Sequence, residues 1–191
     1  MSSLSEEILK RTQCLPEGSL LLARDLLHLG SRKAVNQALS RLEKEDHLLR
    51  VARGQYVALI VSRFGKRSPA PEMVIRSLAE ATRKVIVAHG ARSANALGLT
   101  RQVPVRLIFL TSGRSRVLYL GKTEIVIKHA PKWQMILGDS FAGEAIRALA
   151  WMGPLHSHES AAKLKKLLPL SEWQALQSTR SLLPAWMAKL I

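Results

Sequence analysis

The chain has 191 residues, 47% hydrophobic and 23% charged, with 29 Lys and Arg against 14 Asp and Glu for a formal charge of +15. This composition excludes a disordered chain, and the single cysteine, Cys14, excludes an intramolecular disulfide and suits a reducing compartment. The positive excess points to a polyanionic partner, because each neutralised phosphate releases a condensed counterion, while 5% aromatics speak against a stacked-ring site for single strands.

Ser3 or Ser5 can cap a first helix, with Glu6 and Glu7 at its positive end and Lys10 and Arg11 at the other. Leu15 to Gly18 breaks it. Ser19 to Leu22 is a short apolar run, Ala23 to Leu29 a second helix, and Gly30 its left-handed stop. Ser31 caps a third helix whose Val35, Leu39 and Leu42 form a core-facing stripe with Ala34 and Ala38. Leu48 to Val51 and Gln55 to Leu59 read as strands around an Ala52-Arg53-Gly54 tip. This order predicts a winged helix-turn-helix over residues 1–60.

A linker is expected over residues 61–71, where Gly65, Pro69 and Pro71 interrupt basic and serine residues. Beyond it, Glu72 to Thr82 and Ala91 to Leu97 read as helices and Val85 to Ala88 as a strand. Val105 to Leu110, Val117 to Leu120 and Thr123 to His129 read as a three-stranded antiparallel meander. Helices follow at Ala142 to Trp151, Ser157 to Leu168 and from Ser171. The fold class is therefore α+β: a winged helix-turn-helix, then a mixed α+β domain over 72–191 with a small antiparallel sheet and a helical tail. Trp133, Trp151, Trp173 and Trp186 read as packing anchors of that tail.

The polar side of the third helix carries the residue types that read base edges, since Arg forks onto guanine and Asn or Gln pairs with adenine. Ser31, Arg32, Lys33, Asn36, Gln37 and Ser40 belong to that side, with Arg41 placed for phosphate and Arg50 and Arg53 for phosphate or minor groove at the wing. Tyr56 reads as a core residue. Charge is uneven: residues 1–60 hold 9 basic and 7 acidic residues, residues 61–191 hold 20 and 7. Arg101, Arg106, Arg114, Arg116, Lys122 and Lys128 make a second basic surface, with Arg114 and Arg116 sharing one strand face. Lys163, Lys165 and Lys166 read as a solvated helix face.

Catalysis finds little support. Asp139, Glu144 and Glu159 lie in separate contexts, and His156 and His158 lack the further ligands a metal would need. No cofactor, no metal and no enzymatic role are expected. The N-terminus has no signal-like run and Arg106 interrupts the longest apolar stretch, so a cytoplasmic protein without membrane contact is expected.

Certain blocks resemble a known family. Asp25-Leu26, Ser31 to Leu42 and Arg53-Gly54-Gln55-Tyr56 resemble the winged-helix module of the AbiE-type (type IV) antitoxins of bacteria. His89-Gly90, Ala94 to Thr100, Gln102-Val103-Pro104, Leu110 to Arg114, Ile127 to Pro131 and Ala142 to Gly153 are similar to the short blocks that follow it, so the resemblance spans about residues 4–153. It implies an antitoxin that represses its own operon, two copies binding inverted repeats of double-stranded DNA. It also implies that the C-terminal domain counteracts a cognate nucleotidyltransferase-type toxin, without a stable complex. The alternatives are a free-standing winged-helix regulator with a ligand- or partner-sensing second half, and a nucleic-acid-processing enzyme.

Overall fold

Ser3 and Glu6 form a capping box: Glu6 N donates to Ser3 Oγ at 3.3 Å and Ser3 N to Glu6 Oε2 at 2.8 Å. It opens helix α1, Leu4–Gln13. The computed structural model describes residues 3–191, mixed α+β, with small antiparallel sheets. It divides into two units, Met1–Arg83 with Val117–Ile125, and Lys84–Arg116 with Val126–Ile191.

In the first unit, strand β1, Leu21–Leu22, runs into a 3-10 turn, Ala23–Leu26. This corrects the helix expected over Ala23 to Leu29. Leu27 N reaches Arg24 O and Leu29 N reaches Leu26 O, three residues back in each case, and only Leu26 is buried. Seven residues with one anchored side chain are too few to sustain an α-helix. Gly30 lies outside the left-handed region expected of it.

Helix α2, Arg32–Lys44, is capped by Ser31 Oγ, which accepts from Ala34 N at 3.3 Å. Its Val35, Ala38, Leu39 and Leu42 are buried against Ile8, Leu21, Leu26, Leu48 and Tyr56. Strands β2, Leu48–Ala52, and β3, Gln55–Ala58, pair antiparallel, and β3 also pairs with β1, in the order β1-β3-β2. Arg50 faces Tyr56 and Ala52 faces Gln55, so the register slips by one residue at Val51 and bends the strand toward its Gly54 turn.

The linker reading is also corrected. β4, Ile60–Ser62, and β5, Gly65–Arg67, form an antiparallel hairpin. Its base is held by Arg67, whose guanidinium spans both Glu17 carboxylate oxygens at 2.9 and 3.2 Å, and by Lys66 Nζ on the Asp46 carbonyl at 2.7 Å. Helix α3, Pro71–Thr82, then buries Val74, Ile75 and Leu78 and falls within the first unit, whose boundary lies at Arg83 rather than at residue 60. Leu20 N bonds Ser77 Oγ at 2.8 Å, and Gly18 (φ +77) lies so close to Met73 that a Cβ would sit 2.6 Å from its own.

The chain continues through β6, Ile86–Ala88, α4, Gly90–Ala96, β7, Leu107–Thr111, β8, Arg116–Leu120, and β9, Thr123–His129. The strand order β6-β7-β9-β8 replaces the expected meander. β9 takes β7 on one edge and β8 on the other, and β6 pairs antiparallel with β7 at the end of the row. Val105 lies before β7, 96% exposed.

In the second unit α5, Phe141–Met152, is the central helix. Its Ala142, Ala145, Ile146, Ala148 and Leu149 are buried with Ala94 and Leu97. The tail helices α6, Ser157–Leu167, α7, Leu170–Ser178, and α8, Ala185–Ala188, add Leu164, Trp173, Leu176 and Met187 to the same core. Of the expected anchors Trp173 is buried, Trp133 and Trp186 pack partly, and Trp151 is exposed. Glu172 Oε2 accepts the Ala142 N–H at 2.8 Å, so the tail satisfies one of the open donors at the start of α5.

Candidate nucleic-acid interface

A concave surface of about 570 Å³ lies between the polar side of α2 and the β2–β3 hairpin. From α2 it takes Arg32, Asn36, Ser40 and Glu43, residues four, four and three apart and therefore on one stripe. The hairpin contributes Arg50 and Arg53, and the 3-10 turn contributes Arg24. The groove thus carries four arginines and one acid. Its floor is Tyr56, buried as expected, whose hydroxyl is pushed upward in pKa by burial and feels both Arg50 and Glu43.

The hairpin is tied to the turn by the bond from Ala23 N to Gly54 O at 2.9 Å. Gly54 has φ +69, a region that side-chain-bearing residues avoid. This is why Arg24 and Arg53 flank one edge of the groove.

The nine residues expected to meet DNA are all exposed. The structure brings five of them together in the groove: Arg32, Asn36, Ser40, Arg50 and Arg53. Ser31 is spent as the helix cap. Lys33, Gln37 and Arg41, again four residues apart, form an exposed neighbouring stripe that does not line it. Sequence reasoning missed Arg24 and Glu43. Arg24 was hidden because its segment read as a helix, whereas Glu43 lies at i+3 from Ser40 and was within reach of the periodicity.

The second basic surface is dispersed. Arg101 and Arg106 are exposed in the irregular segment before β7, Arg114 in the β7–β8 turn, Lys122 in the β8–β9 turn and Lys128 on β9. Arg116 departs from the exposed pair expected with Arg114. It has the parity of buried Leu118 and Leu120, is half-buried, leaves Nε without a partner, and is lowered in pKa by desolvation. The outward parity of β8 belongs instead to Val117 and Tyr119.

The second unit holds one deeply buried charge, Arg147 on α5, 1% exposed. Its Nη1 donates to Gly138 O at 2.8 Å, while Nε and Nη2 have no partner. Desolvation lowers its pKa against the opposing pull of Glu144 and Asp139, and Glu144 is itself raised by burial. Among the described residues no three His, Cys, Asp or Glu side chains are grouped as metal ligands, and no helix is long and apolar enough to cross a membrane. Cys14 is exposed at the end of α1.

Residues 7–176 match the model of a family described as "Family of unknown function (DUF6088)", and the chain belongs to that family. Its fold is similar to the crystal structure of the RV2827C protein from Mycobacterium tuberculosis, with a TM-score of 0.55 at 15% identity over 100% of this chain and 81% of that one. The comparison with curated proteins found no match.

Proposed function

We propose that this chain is a DNA-binding autorepressor and the antitoxin of a bacterial toxin–antitoxin module, acting in the cytoplasm without catalysis of its own. The observation that carries the DNA-binding part is the groove, in which Arg24, Arg32, Arg50 and Arg53 surround the Asn36 and Ser40 side chains. In this reading α1, the 3-10 turn and α2 act as the helix-turn-helix, α2 enters the major groove of duplex DNA, and the wing holds the backbone. The arginines supply sequence-independent affinity, and Asn36 and Arg32 supply base readout.

The antitoxic role rests on the resemblance of the Ala94 to Thr100 and Ile127 to Pro131 blocks to AbiE-type antitoxins. The second unit then counteracts a nucleotidyltransferase-type toxin, and two copies of the first unit sit on inverted repeats.

The test is a gel shift on DNA immediately upstream of the coding sequence and on random DNA of equal length, across a salt series. Preference for the upstream fragment by at least ~10³-fold, the lower end for specific binders, is the expected result. Equal binding to both contradicts a specific repressor. Expression together with the adjacent gene tests the second role, and growth that is not rescued contradicts it.

A further inference from the structure

Glu43 is the one acid in a groove otherwise furnished for phosphate. An unscreened carboxylate repels the backbone of a polyanion, so its presence costs affinity unless it meets a donor. Among the described residues its side chain makes no ion pair or hydrogen bond with the four arginines that line the groove with it, although its charge is felt at the Tyr56 hydroxyl. Helix position sets what it can meet. Glu43 continues the stripe of Arg32, Asn36 and Ser40, and eleven residues at 1.5 Å each extend that stripe over about 16 Å, so Glu43 meets a different part of the groove from Arg32. A carboxylate on a helix in the major groove finds two exocyclic amino donors there, cytosine N4 and adenine N6, and cytosine suits it better because adenine N6 has the N7 lone pair beside it, which repels the second carboxylate oxygen.

We propose that Glu43 is a specificity-determining residue of this groove, accepting a hydrogen bond from a cytosine amino group at the end of the site read by the C-terminal half of α2. The inference rests on the DNA-binding reading. It adds that the site contains an obligatory C·G pair, displaced along the duplex from the base pairs read by Arg32 and Asn36. The same carboxylate lowers affinity for other sequences, because it faces phosphate, the acceptor edges of guanine and thymine, or an adenine amino group flanked by the N7 acceptor.

The test is selection of binding sites from a random duplex library with the full-length protein and with Glu43→Gln, both checked by circular dichroism. The wild type is expected to enrich a site with one cytosine preferred roughly tenfold over the other bases. Glu43→Gln, nearly identical in shape, is expected to lose that preference, to show adenine or no preference in its place, and to keep the remainder of the site. It should also bind random DNA severalfold more tightly. If Glu43→Gln fails to fold, Glu43→Asp, which withdraws the acceptor by one methylene, is expected to weaken the same column alone. An unchanged site in the variant, or a uniform loss of affinity with the same base preferences, overturns the proposal while leaving the DNA-binding reading in place. A wild-type protein that enriches no site overturns both.

Discussion

The Ala23 N–H donates to the Gly54 carbonyl at 2.9 Å, so the turn bearing Arg24 and the wing tip bearing Arg53 are fixed to one another. A Cβ on Gly54 would meet only Ala23 Cβ, at 3.8 Å, so space is available there and the obstacle is φ +69. Gly54→Ala is expected to cost about 1–2 kcal/mol from left-handed strain and, under the proposed function, to weaken DNA binding by displacing the tip. Gly65→Ala, at φ +106 with open space around it, is the control. It should lower the urea midpoint and leave DNA affinity unchanged.

Gly90 opens α4 with its Cα against α5. A methyl there would stand 2.3 Å from Arg147 O and 2.8 Å from Trp151 Cβ. Helix propensity favours Ala over Gly by about 1 kcal/mol, but backbone cannot retreat as a flexible side chain can. Packing wins, and Gly90→Ala is expected to destabilise the second unit by about 1–3 kcal/mol. A urea midpoint at or above that of the wild type contradicts this contact.

His89 Nδ1 accepts the Ala91 N–H at 3.2 Å and thereby caps α4, which requires the neutral ring. Desolvation, with a smaller push from Lys128, lowers its pKa from the ordinary 6.5. The unfolded chain therefore binds more protons between the lowered pKa and 6.5, and stability falls as pH drops through that window. Above 6.5 the contribution is fully present. Urea titrations at pH 7.5 and 5.5 are expected to show a loss of stability that shrinks in His89→Gln. An identical loss in that variant contradicts the assignment.

Asn36 lines the groove and Gln37, one residue on, does not. Under the proposed function Asn36→Ala costs about 1–3 kcal/mol of discrimination at one adenine, whereas Gln37→Ala leaves the preference at every base pair unchanged. Anisotropy titrations with single-base variants of the bound site measure both. Equal effects of the two substitutions contradict the docking of α2.

Much of the first unit was legible because its helices and strands follow local rules: Ser3 and Ser31 cap, Val35, Leu39 and Leu42 repeat at helical spacing, and Gly54 turns the wing. What was hidden depends on distant partners. The β4–β5 hairpin takes its anchor from Glu17, some fifty residues earlier, and no window around Gly65 contains that carboxylate. The place of β9 between β7 and β8 is likewise a pairing across the sheet. Arg116 shows the limit of charge as a guide, since strand parity sets it with Leu118 and Leu120 rather than in water. In the groove, α2 spacing identified Arg32, Asn36 and Ser40 as lining residues, but Arg24 required the Ala23–Gly54 bond.

The most direct test of the groove as a DNA site is the salt dependence of duplex binding by the wild type, by Arg24→Gln/Arg53→Gln, and by Lys165→Gln/Lys166→Gln, an exposed pair on α6, as a control of equal charge outside the groove. Each lost phosphate contact removes about 0.9 from the slope of log K against log salt. The groove pair is expected to flatten the slope by about 1.8 and the control pair to leave it nearly unchanged. Slopes that shift equally in both variants, or in neither, contradict the groove as the seat of DNA binding.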